Sequence, residues 1–311
     1  MLIPFLSRYD QTEDERWLTR FREFLPEHQV LRHAELSETQ RANARVAIVA
    51  GPPSEMVLAY PKLEWVSSTW AGVETVLQAV PPSVGIARLV DPELSAKMGE
   101  AVLTAVLALH RNLPEYAAQQ AQHLWRKLPY TKPADRTVAL LGLGELGLAS
   151  IEALRPRGFK LIGWSRTQKA IEGLDCFAGH EGLQRVLAKA DTVVCLLPLT
   201  SETTGLLNAE RLRNLPQGAS IINFARGPII DEQALLTALN DGHLRHAVLD
   251  VFDHEPLPSD HPFWGHPKVT VLPHISALTD SRSAAQIVTA KISSWLADGT
   301  LPEFVDRSLE Y

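Results

Sequence analysis

Cysteine is scarce. The chain of 311 residues has two, Cys176 and Cys195, which excludes a disulfide framework and suits a reducing compartment. Cys195 stands inside the apolar run "DTVVCLLP" and reads as a packed thiol rather than a nucleophile. Long hydrophobic runs are also missing. No stretch approaches the roughly eighteen apolar residues of a membrane span. The opening "MLIPFLSRYDQTEDE" turns acidic after a few apolar residues, without the basic lead and long apolar segment of a secretory signal. Nor is there a large excess of one charge. The 30 Lys and Arg against 36 Asp and Glu leave a net charge of -6, which gives no reason to expect nucleic acid or an anionic membrane as partner. Internal repeats and low-complexity segments are absent as well. These absences leave a cytoplasmic globular protein as the expectation.

Short apolar runs alternating with amphipathic stretches fill the chain. Its length suits two domains better than one core. In the first part the strand candidates are Leu2–Leu6, Val46–Ala50, Trp65–Ser68 and Ile86–Val90. A helical pattern then runs from about Ser95 to Ala121 and reads as a connector. Six stronger candidates follow, at Thr137–Leu143, Phe159–Trp164, Asp191–Pro198, Ser220–Ala225, His246–Val251 and Lys268–Leu272. Strands separated by helical stretches predict two doubly wound α/β domains with parallel sheets. The first domain is expected over residues 1–96, completed by 281–311, and the second, whose strand count and order match a dinucleotide-binding domain, over 97–280. A last amphipathic helix, about Thr279 to Leu296, would cross back to the first domain.

The stretch "LLGLGELG" places Gly142, Gly144 and Gly147 after a strand and before a helix. In a dinucleotide site the first glycine permits the tight turn, the second lets a pyrophosphate approach, and the third lets the helix pack closely. The first helical residues, Glu145 and Leu146, would offer backbone N–H groups to the phosphates. The next strand ends in "GWSRTQK". An NAD site places a carboxylate there to accept from the ribose hydroxyls. Ser165 and Arg166 stand there in this chain, and a guanidinium suits a 2′-phosphate. NADP(H) is therefore expected to be preferred over NAD(H), against the alternative of an ordinary surface loop.

The run "SIINFARGP" raises a question. Ile221, Ile222 and Phe224 read as a buried strand, and Arg226 stands where it ends. A charge beside a core needs a partner. Asp231 or Glu232 could supply one, and an anionic ligand is the alternative. Four of the histidines downstream, at 254, 261, 266 and 274, lie in or near the proline-rich stretch. Their irregular spacing and adjoining prolines argue against a metal site.

Over nearly its whole length the chain resembles the D-isomer-specific 2-hydroxyacid dehydrogenases, closest to the glyoxylate/hydroxypyruvate reductase A type. The resemblance is carried by "LLGLGELG", "GWSRTQK", "CLLPLTSETTGLLNAERL", "INFARGPIIDEQALLTALNDGHLRHAVLDVFDHEPLP" and "VLPHISALT". It implies a Rossmann cofactor domain and a flavodoxin-like substrate domain. It also implies a catalytic trio of Arg226, Glu255 and His274. Arg226 would bind the carboxylate and carbonyl of a small 2-oxo acid, with two parallel donors matched to that anion. His274 would give a proton to the forming alkoxide, and Glu255 would hold the imidazole. No metal is then needed, because Arg226 supplies the electrophilic assistance. By the same resemblance Ala71, Gly72 and Val73 bind the substrate carboxylate by their N–H groups. Asp250 would orient the nicotinamide carboxamide, and Pro198 would line the adenine side. A homodimer is implied, with the helical region near 95–121 at its interface. One departure concerns Val49–Pro53, "VAGPP", which lacks the tryptophan that the resemblance implies there. Trp70 either compensates for it or is a core tryptophan. Reduction of bulkier 2-oxo acids and a non-catalytic nucleotide-sensing module are the alternative functions.

Overall fold

Two runs, "VAIVA" at Val46–Ala50 and "ASIIN" at Ala219–Asn223, are buried at every residue. Strands with no solvent face belong inside parallel sheets covered on both sides. The computed structural model describes all 311 residues and contains two such sheets. The first is built from β1 (Leu2–Ser7), β2 (Gln29–Arg32), β3 (Val46–Ala50), β4 (Trp65–Ser68) and β5 (Gly85–Ala87), in the order β2-β1-β3-β4-β5. The second is built from β6 (Thr137–Leu141), β7 (Lys160–Ser165), β8 (Asp175–Ala178), β9 (Thr192–Cys195), β10 (Ala219–Asn223), β11 (Leu244–Leu249) and β12 (Val269–Val271). Its order is β12-β11-β10-β9-β6-β7-β8. All neighbouring strands pair in parallel. In each sheet the chain winds outward on one side, then returns to the other. The reversal falls between β1 and β3 in the first sheet, and between β6 and β9 in the second. Doubly wound sheets bind ligands beyond the carboxyl ends of strands at such points.

Both sheets hold one strand more than the apolar runs predict. The additions are β2, "QVLR", and β8, "DCFA", which lie at sheet edges and are only partly buried. A short edge strand needs no continuous apolar run, so it leaves little pattern to read. The single helical pattern near 95–121 is two helices, Pro92–His110 and Leu113–Ala121. The break lies at Asn112, in the left-handed region with φ 56°, a conformation asparagine tolerates better than most residues.

Contacts divide the chain into two units, Met1–Glu93 with Thr279–Tyr311, and Leu94–Leu278. In the first, the helix Ser281–Asp298 is capped by Asp280, whose side chain accepts from Arg282 N and Ser283 N. It places Ala284, Ala285, Val288 and Ile292 against Trp17, Leu18 and Phe21 of the helix Gln11–Phe24, an apolar stripe at helical spacing. In the second unit, alternate strand residues feed opposite faces, as the pleat requires. Leu141, Cys195 and Ile221 join one core cluster, and Leu140, Val194 and Ile222 the other. No helix is long and apolar enough to cross a membrane.

Candidate active site

The glycine loop follows β6 at the reversal of the second sheet. Gly142 has φ 106°, and a Cβ added there would lie 2.7 Å from the carbonyl oxygen of Leu196, just past β9. A Cβ on Gly147 would lie 2.0 Å from the carbonyl oxygen of Gly142, so the helix Glu145–Leu154 packs on the turn through that glycine. At Gly144 an added Cβ would meet nothing within 4 Å. That helix has no side-chain cap at its N-terminus. Its first N–H groups, including those of Glu145 and Leu146, are the type that receives phosphate. The loop therefore fits a dinucleotide pyrophosphate. Pro198, beyond β9, lies in a braced turn: its carbonyl accepts from Thr203 Oγ1 at 2.7 Å, and Thr203 Oγ1 also accepts from Thr200 N at 2.8 Å.

At the end of β7 the Ser165 hydroxyl donates to Thr167 O at 2.7 Å and shapes the turn. Arg166 extends past it and lies 3.5 Å from Glu202 Oε2. Glu202 is two-thirds exposed, so this pair is weak and screened.

The predicted catalytic residues follow the ends of β10, β11 and β12. β10 closes on Asn223, which is 1% exposed. Its Nδ2 donates to Arg226 O at 2.9 Å, and its Oδ1 accepts from Ala225 N at 3.2 Å. The buried amide braces the turn that carries Arg226. Gly227 then runs so close to the next loop that an added Cβ would lie 2.1 Å from the carbonyl carbon of Phe252. This contact requires glycine after the arginine. Phe252 N donates to Glu255 Oε1 at 2.9 Å, and Glu255 Oε2 lies 2.7 Å from His274 Nδ1. An ionised carboxylate only accepts, so Nδ1 carries a proton, and Nε2 is left for chemistry. The structure thus joins the Arg226 turn, Phe252, Glu255 and His274 into one chain of contacts.

His274 itself has φ 54°, a left-handed conformation that costs a non-glycine residue about 1–3 kcal/mol. Asp250, 2% exposed, holds it there. The Asp250 carbonyl accepts from His274 N at 3.0 Å. Its carboxylate oxygens accept from Ile275 N at 2.8 Å and Ser276 N at 2.9 Å. Asp250 is thus a brace for the histidine loop. Arg226 Nη1 donates to Ala225 O at 2.7 Å. The acids next along the chain have other roles: Asp231 caps the helix Glu232–Asn240 through Ala234 N, and Glu232 meets His261 Nε2 at 2.9 Å. His266 lies 3.3 Å from Asn240 Oδ1. Burial pushes the Cys195 thiol up to about 12, so it is no nucleophile at neutral pH. No motif in the sequence singles out Asn223 or the Phe252 N–H. The available signal was a polar residue closing an otherwise apolar strand, since a buried amide needs partners.

Ala71, Gly72 and Val73 lie in the other unit, past the end of β4. Their three N–H groups have no acceptor in the chain, as suits a loop that receives an anion. Trp70, just before them, is half-buried rather than in the core.

Comparison with known proteins places the chain in a family. Residues 103–276 match the family described as D-isomer specific 2-hydroxyacid dehydrogenase, NAD binding domain. The chain is 38% identical over 289 residues to glyoxylate/hydroxypyruvate reductase A of Yersinia enterocolitica, covering 91% of each protein. A crystal structure of a D-isomer specific 2-hydroxyacid dehydrogenase from Xanthobacter autotrophicus Py2, in complex with NADPH and MES, superposes with a TM-score of 0.91 at 37% identity, covering 100% of this chain and 99% of that one. An NADPH-dependent glyoxylate/hydroxypyruvate reductase from Sinorhizobium meliloti, in complex with NADP and sulfate, gives a TM-score of 0.91 at 32% identity with the same coverage.

Proposed function

The chain belongs to the D-isomer-specific 2-hydroxyacid dehydrogenases, and from that premise we propose that it uses NADPH to reduce a small 2-oxo acid, such as glyoxylate or hydroxypyruvate, to the 2-hydroxy acid, the D enantiomer wherever C2 is a stereocentre. The observation that carries this reading is the Glu255–His274 pair at 2.7 Å, in which Glu255 stands on the loop against which the Arg226 turn packs. A reduced nicotinamide, when bound, supplies the hydride. Gly142, Gly144 and Gly147 shape its pyrophosphate site, with the N–H groups of Glu145 and Leu146. Ser165 and Arg166 flank the 2′-phosphate, and Pro198 the adenine.

The chain's own residues do the rest. By the family resemblance, the N–H groups of Ala71, Gly72 and Val73 are carboxylate donors, and Arg226 carries the charge that binds a 2-oxo acid. The Arg226 guanidinium also polarises the carbonyl as negative charge grows on its oxygen. His274 Nε2 delivers a proton to that oxygen while Glu255 keeps the ring oriented through Nδ1. A panel of 2-oxo acids assayed with NADPH and NADH tests the proposal. Turnover of glyoxylate and hydroxypyruvate with NADPH favoured supports it. An enzyme that binds NADPH but reduces no 2-oxo acid would instead be a nucleotide-sensing module.

The cofactor preference has its own test. A charge-assisted phosphate contact is worth about 1.5–3 kcal/mol in gross terms, less where solvent screens it. Arg166→Ala is expected to raise KM for NADPH about tenfold and to leave NADH use little changed. An equal effect on both cofactors would make Arg166 structural.

We also propose a homodimer. Trp125 is 96% exposed, with Leu113, Leu124 and Tyr130 exposed at 55%, 43% and 63%. So much apolar surface on one segment suits an interface, and a second copy is the occupant the family resemblance implies. Trp125→Glu is expected to weaken the dimer about thirtyfold or more, read by sedimentation-equilibrium ultracentrifugation. An unchanged association constant would place the interface elsewhere.

A further inference from the structure

The reversal of the first sheet carries a feature that the catalytic assignment does not use. The register pairs Ser7 with Ala50 and Val49 with Ser68. The residues just past these strand ends, Arg8, Gly51 and Trp70, therefore meet beyond the carboxyl edge. Arg8 Nε donates to Gly51 O at 2.6 Å. Its guanidinium carbon lies 5.6 Å from the centroid of the Trp70 ring. Gly51 has φ 58°, and a Cβ there would fall 2.2 Å from Cη2 of Trp70. Glycine at 51 is thus what admits the indole. The Trp70 Nε1–H donates to Tyr9 Oη at 2.7 Å, with the two rings edge to face. Burial pushes the Tyr9 phenol up, so it remains a neutral partner.

The arginine is therefore held at one nitrogen and one face. Its two Nη atoms have no acceptor in the chain and no carboxylate within ion-pair distance. The acids on the nearby helix are engaged elsewhere. Asp10 accepts from Glu13 N, Asp14 accepts from the Ser7 hydroxyl, and Glu13 lies 3.6 Å from Arg16. Fixed guanidinium donors turned to solvent at a topological switch point are suited to an anionic or hydroxylic group. Trp70 also directly precedes Ala71–Val73, the loop assigned above to the substrate carboxylate.

We propose that Arg8 is a specificity-determining residue: it receives a hydroxyl or carboxylate carried on C3 of the 2-oxo acid, so that polar substrates are favoured over alkyl ones. This rests on the 2-oxo acid reductase reading. Trp70 acts as the apolar wall that fixes the guanidinium, and Gly51 makes room for that wall. The assignment favours hydroxypyruvate over pyruvate, which differs by that one hydroxyl.

The test is the ratio of kcat/KM for hydroxypyruvate to that for pyruvate, with saturating NADPH, in the parent, Arg8→Ala and Arg8→Lys. Comparing ratios removes the intrinsic reactivity of each acid. The ratio is expected to fall about tenfold in Arg8→Ala. In Arg8→Lys, which keeps the charge without the fixed fork, it should fall to an intermediate value. Arg8 is exposed, and an unchanged circular dichroism spectrum will show that both variants fold. An active parent whose ratio moves less than about twofold in Arg8→Ala overturns the proposal, whether or not the overall rate drops. A parent that reduces no 2-oxo acid overturns the underlying reading and this one with it.

Discussion

Arg226→Lys is expected to lower kcat/KM for 2-oxo acid reduction by about two to three orders of magnitude, with the fold intact. Lysine preserves the charge, so a purely electrostatic role would survive the change. What it removes is the planar pair of donors matched to a carboxylate and its neighbouring carbonyl. Polarisation of the carbonyl grows as the oxygen becomes an alkoxide, so the loss should appear in kcat as well as KM. Asn223 grips the backbone of residue 226 rather than its side chain, so the turn should keep its shape in the variant. Steady-state kinetics with glyoxylate and hydroxypyruvate will read the effect. Turnover near the parent's would remove Arg226 from the reaction.

His274→Ala is expected to cost about two to four orders of magnitude in kcat, the usual contribution of a positioned acid. Reduction consumes a proton at the substrate oxygen, and Nε2 is the ring nitrogen available to deliver it, because Nδ1 faces Glu255 at 2.7 Å. The reverse reaction needs that nitrogen without its proton. Reduction should therefore fade and oxidation should gain as pH rises, and both dependences should flatten in the variant. The quantity to follow is kcat/KM, since slow product release can mask the chemical step in kcat. A variant that keeps the parent's pH profile would assign the proton to another group.

The chemistry was legible where one residue type meets one geometric need. Gly142, Gly144 and Gly147 each answer to a separate contact or to open space, and their spacing between a strand and a helix makes the loop legible. Arg226 drew notice as a charge at the end of an apolar strand, and the catalytic roles then came from the family frame. Less was legible where long-range register decides. The Arg8–Gly51 hydrogen bond joins residues 43 apart in sequence, and Trp70 and Tyr9 are 61 apart. Only the pairing of β1, β3 and β4 brings them together. Asp250 read as a cofactor ligand, but its brace on Ile275 and Ser276 depends on the turn after β12. The edge strands β2 and β8 went unread because partial burial leaves no apolar run.

Reduction of a 2-oxo acid by NADPH moves one hydride from the nicotinamide to C2 of the acid. The most direct measurement uses NADPH deuterated at the transferable C4 position, with hydroxypyruvate as substrate, and analyses the product by mass spectrometry and chiral chromatography. The expected product is D-glycerate carrying one deuterium on C2. Product without deuterium, or the L enantiomer, or NADPH bound with hydroxypyruvate left unconsumed, would contradict it.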